Sequence, residues 1–227
     1  MKMFTEVLRA QWKWCGGVML LCGVAAFAIP ILSMRNTEIE ATPGTAELVR
    51  SVAANQMLNV MERWGPLYTL LAASIGLVVA TLAWAADHRG RHVYALVLPI
   101  ARWRFVMMRY CSGAIMLLIP SVLLLAGAFL ATSSSVIPEG LTAYPVALAV
   151  RFALAALVAY SLFFAISSGT TKTALFVLAP IGVLLVADLV SAMTGAEPDY
   201  LANTVWVLLT WPGVLEVFTG RWLLVDV

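Results

Sequence analysis

His88 and His92 stand four apart with Asp87 beside them, so on a helix both imidazoles would share a face and could meet a metal ion. Two histidines in an arginine-rich segment are more often polar surface. No other Cys or His cluster has zinc spacing. Gly16-Gly17 is followed by no Gly-Lys-Ser, so no phosphate-cradling loop and no ATP site are expected on this chain. No histidine lies in an apolar run where an intramembrane base would be wanted, so the chain is not expected to be an enzyme and to carry no cofactor of its own. Two charges do fall within apolar runs, Arg151 and Asp188. Charges in such places warrant a functional hypothesis by default. The densest charge lies between Trp84 and Arg109, where Arg89, Arg91, Arg102, Arg104 and Arg109 make up five of the fourteen Lys and Arg.

The elements that must position these residues follow from composition. The chain is 62% hydrophobic and 11% charged, against about 25% charged in a soluble domain. About 20 apolar residues cross a ~30 Å core. Four runs qualify, near Cys15–Met34, Pro66–Ala86, Phe105–Ala131 and Val146–Ser167. A fifth, Ala174–Met193, contains Asp188. Tyr200–Val227, with Trp206, Trp211, Trp222 and a Pro212-Gly213 break, reads as a sixth span or as a re-entrant or interfacial segment. The expected fold is therefore an all-α polytopic membrane protein, a single domain over 1–227, with five transmembrane helices and an undecided sixth.

Before the first run, Met3–Trp14 has Phe4, Val7, Leu8, Gln11 and Trp12 at helical spacing. Lys2, Glu6, Arg9 and Lys13 lie largely opposite. It reads as an interfacial helix over residues 1–14, the alternative being a flank that merely supplies charge. Lys2, Arg9, Lys13, the five arginines of the connector and Lys172 give nine basic residues on one side. Arg35, Arg50 and Arg63 give three on the other. The excess places the N-terminus and residues 85–104 in the cytoplasm and the loop of residues 35–64 outside. Within that loop Val49, Val52, Ala53, Met57, Val60, Met61 and Trp64 form a helical apolar stripe, expected to pack on the bundle or lie on the outer leaflet. Pro120 interrupts the third run. Cys15 and Cys22 are separated by ~10 Å along one helix, too far to bridge. Together with Cys111 they are expected to pack in the core.

Arg151 and Asp188 each lie about five residues from the outer end of consecutive antiparallel spans, at similar depth on a ~1.5 Å rise per residue. They are expected to pair, the alternative being separate snorkelling to the interface. The connector between the second and third runs is long enough for its own helix.

An N-terminal interfacial helix, a large outer loop and a basic cytoplasmic helix ending in Leu98-Pro99-Ile100-Ala101-Arg102 resemble the type-2 ABC exporter permeases. The resemblance covers most of the chain in topology and about 25 residues in motif. In that family the helix between spans two and three is the coupling element, with an acid near its start. Here the acid would be Asp87, followed by Arg89-Gly90-Arg91, with Pro99, Arg102 and Arg104 at the far end. The resemblance implies a permease subunit in the bacterial inner membrane that dimerises with an identical or homologous subunit. It pairs with ABC ATPase subunits, on which ATP and Mg bind. Lipid is a partner and nucleic acid is not. Family members have six spans and finish in the cytoplasm; an outer re-entrant hairpin and a last span would not both fit in Tyr200–Val227, so either the final span is short or the chain stops after the hairpin. The alternative is a non-ABC membrane scaffold or assembly factor that uses the basic connector for lipid.

Overall fold

The computed structural model describes residues 2–35, 46–89, 101–135, 137–138, 140–168, 200–210, 213–219 and 221–226, with single positions 179, 183, 184, 186 and 187. It is mostly helical, and four helices are long and apolar enough to cross a membrane. In chain order the elements are α1 (Lys2–Arg35), α2 (Ala46–Arg89), α3 (Arg102–Met116), α4 (Leu118–Ser134), β1 (Thr142–Ala143), α5 (Pro145–Ser168), α6 (Tyr200–Thr210), a 3-10 turn (Val214–Phe218) and β2 (Val225–Asp226).

The first four apolar runs are helical, and two of the helices extend well past their runs. α1 has 34 residues, ~51 Å of helix, and Met3–Trp14 forms its first turns with no break before Cys15. α2 has 44 residues. The apolar stripe of the 35–64 loop is its first half, continuous with the second span through Gly65-Pro66. Met57 and Met61 are buried there. Proline within an apolar helix is tolerated when neighbours or local adjustment satisfy the freed carbonyl. The third run divides at Leu117, one turn before Pro120, into α3 and α4. Proline 120 cannot donate to the carbonyl of residue 116, and Ser121 Oγ donates to the carbonyl of Leu117 at 2.9 Å. The run of hydroxyls that ends α4 folds back on it, with Ser135 Oγ donating to the Ala131 carbonyl at 2.8 Å.

The helices close a four-sided bundle. α1 packs on α2 and α4, and α5 packs on α2 and α4. Lipid offers no hydrophobic drive between helices, so close approach through small residues has to supply the packing. Ala72, Gly76 and Ala80 recur every fourth residue on α2 and are buried, and Gly76 meets Ala156 and Ala159 of α5. A Cβ on Gly76 would stand 2.6 Å from the backbone nitrogen of Tyr160 and 2.7 Å from Ala159 Cβ. Gly127 of α4 does the same against the backbone of Phe27 in α1. Tyr68, Ile75, Leu124 and Phe152 complete the buried centre.

The chain also has two short strands that the all-α expectation lacked. Beyond Gly140, whose φ of +92° suits glycine, β1 pairs antiparallel with β2. Thr142 stands opposite Asp226 and Ala143 opposite Val225. α6 has 11 residues, ~16 Å, short of a ~30 Å core. Asp188 and most of 174–193 lie outside the described residues.

Candidate functional site

Two polar constructions mark the two ends of the bundle. At the end where α2 finishes and α3 begins, Trp84, Tyr110, Tyr160 and Phe164 form an aromatic cluster. Tyr110 and Tyr160 stack at 5.3 Å, Trp84 meets Phe164 at 5.2 Å, and Tyr110 meets Phe164 edge-on at 5.5 Å. The Arg109 guanidinium lies 5.0 Å from the Trp84 ring centre and 4.9 Å from that of Phe105, a favourable arrangement for a cation over π faces. The Tyr160 hydroxyl donates to the Tyr110 carbonyl at 3.1 Å, and the hydroxyls of Tyr110 and Ser161 share a hydrogen bond of 2.7 Å. Gly113 leaves the room that the Tyr160 ring occupies. Gln11 of α1 donates to the Arg109 carbonyl at 3.4 Å. The cluster therefore joins α1, α2, α3 and α5 where the basic connector leaves and re-enters the bundle.

Of the connector residues, Asp87 and Arg89 lie in the last turn of α2, and Arg102 opens α3. Arg104 is exposed on the first turn of α3, its guanidinium 5.4 Å from the Trp103 ring centre. Arg91, His92 and Pro99 lie outside the described residues, and with them all of the expected 87–99 coupling helix beyond Arg89 and one half of the His88–His92 pair. Among the described residues no group of three His, Cys, Asp or Glu converges as a metal site would. Cys15 is buried as a packing cysteine, Cys22 is half-buried and Cys111 faces outward.

At the other end, residues 213–219 and 221–226 form a strap over α2 and α5. Arg151 of α5 holds it. Its Nε donates to the Val217 carbonyl at 3.2 Å, one terminal nitrogen to the Arg221 carbonyl at 2.7 Å, and the other to the Thr219 carbonyl. The same guanidinium lies 5.0 Å from the Trp222 ring centre. Trp222 stacks on Tyr68 of α2, 6.4 Å centre to centre and 7° from parallel. Leu224 and Val225 are fully buried beneath, and the Tyr144 N–H donates to the Leu224 carbonyl at 2.8 Å. The expected partner of Arg151 was Asp188, which lies outside the described residues. The partners seen are three main-chain carbonyls.

Sequence reading missed this strap and the aromatic cluster. It counted Arg109 as a topology charge only, and nothing in the residue pattern ties it to Trp84. For Arg151 the signal was present, a charge within an apolar run, but carbonyl partners leave no trace in residue types. Compared with protein-family models, with curated proteins and with solved structures, the chain matches none.

Proposed function

We propose that the chain is the membrane-spanning permease subunit of an ATP-driven ABC exporter in a bacterial inner membrane. In this reading the N-terminus is cytoplasmic, Met3–Trp14 lies at the interface, and one or two further spans follow α5. The protein dimerises with a like subunit, and separate ATPase subunits bind ATP and Mg. The observation that carries the reading is the basic connector of residues 85–104, set between two long apolar helices that both end on it. Asp87, Arg89, Arg91, Arg102 and Arg104 would offer charge-assisted contacts to a partner's carboxylates, with Pro99 ending the coupling helix. The aromatic cluster around Arg109 would pass a displacement of the connector to α1, α2, α3 and α5.

The test is purification in mild detergent, with an ATPase subunit expected to accompany the chain. Reversing charge at Arg89 and Arg91 should release it or uncouple ATP hydrolysis from transport. Reversing Arg50 should do neither. A charge-reversed protein that keeps its ATPase and transports at the wild-type rate would leave those arginines as topology signals only.

A further inference from the structure

The strap and α2 enclose a groove of about 550 Å³, within the size range of small-molecule sites. Pro66, Leu70, Phe218 and Trp222 line its apolar part, and Glu62 and Arg221 stand at its rim. Their charges are neighbours but not bonded. Arg221 Nε is 4.0 Å from Glu62 Oε1, and the side chains are 71% and 63% exposed. That separation exceeds a hydrogen bond, so each group keeps donors or acceptors for something else. Trp222 is 4% exposed. Its indole N–H is buried and has no acceptor among the described residues.

The depth of the groove names the occupant. Pro66 to Trp84 rises through ~28 Å, close to the ~30 Å hydrocarbon thickness of a bilayer. Glu62 and Arg221 then sit at headgroup level, and Leu70 lies one turn inside the hydrocarbon. From the structure we infer that this groove holds a phospholipid whose headgroup carries both a phosphate and an amine. The phosphate meets Arg221, the ammonium meets Glu62, and the first stretch of acyl chain lies along Leu70 and Phe218. Both rim charges are needed for this headgroup, whereas a purely anionic lipid would meet Glu62 unfavourably. The inference concerns the strap end alone and stands whether or not the connector couples to an ATPase.

The test is native mass spectrometry of the purified protein titrated with dioleoyl phosphatidylethanolamine or dioleoyl phosphatidylglycerol. Wild type should prefer the ethanolamine lipid, and Glu62→Gln should erase that preference. Arg221→Gln should weaken both lipids by roughly threefold to tenfold, on the scale of one ordinary solvent-exposed hydrogen bond. Leu70→Trp should block both by filling the groove. An exposed pair contributes little to folding. Arg221 reaches Arg151 through its carbonyl, so Arg221→Gln keeps the strap, and protection of the Tyr144 amide verifies it. Equal affinity for the two lipids in wild type, a preference that survives Glu62→Gln, or full binding by Leu70→Trp would overturn the assignment. So would displacement by soluble phosphoethanolamine at equal concentration, since the site would then bind headgroup without chain.

Discussion

Replacing Arg151 by methionine keeps an unbranched apolar stem and removes the three hydrogen bonds that hold the strap. The bonds to Val217 and Thr219 are partly buried and the one to Arg221 is exposed. A hydrogen bond to a charged group contributes about 1.5–3 kcal/mol. The guanidinium keeps contact with solvent, so the lower end applies to the two partly buried bonds and little to the third. The contact with the Trp222 face adds about 0.5–1 kcal/mol. The strap should therefore open with ~3–4 kcal/mol less free energy, raising its open population by roughly 150- to 1,000-fold.

The readout is hydrogen exchange at the Tyr144 amide, which donates to Leu224 and is freed when the strap lifts. Amides around Ile75 in the middle of α2 should not change. Arg151→Lys keeps the charge but lacks the planar fork that reaches three carbonyls at once, so it should fall between wild type and Arg151→Met. If Asp188 also faces this guanidinium, Asp188→Asn and Arg151→Met should combine to less than the sum of their separate effects. Unchanged Tyr144 exchange in folded Arg151→Met would refute the claim that this side chain fastens the strap.

Three further outcomes are expected. Gly76→Val places a side chain against the Tyr160 backbone at 2.6 Å and should lower stability in detergent by about 1–3 kcal/mol or more. Gly17→Ala, with nothing within 4 Å of the new methyl, should be neutral or slightly stabilising, as helix propensity dictates. A single cysteine at Thr45 should react with an impermeant thiol reagent in intact cells and one at His92 should not. Reaction at position 92 would reverse the orientation and remove the basis for the coupling proposal.

The bundle was legible because its cause is compositional. Runs of twenty apolar residues leave the backbone no choice but to satisfy itself as helix, and four of them did. The boundaries were less legible where a residue type has two meanings. Gly65-Pro66 reads as a break in a soluble chain, yet α2 continues through it, and the stripe from Val49 to Trp64 belongs to the same helix as the second span. The strap was not legible at all. Its strands are two residues each, too short for any alternation. Its holding contacts link Arg151 to carbonyls 66, 68 and 70 residues away. An arginine in an apolar run prompts a search for a carboxylate, because carboxylates are visible in a sequence. Main-chain carbonyls at the end of a helical bundle can satisfy the same donors without any partner residue of distinctive type. They do so without cancelling the charge, since a carbonyl carries only a partial negative one. The guanidinium is thus hydrogen-bonded and still cationic, at the end of the bundle where the strap also presents Arg221. Charge at a membrane boundary can therefore be fully engaged structurally and remain available electrostatically, a combination that ion pairing with Asp188 alone would not provide.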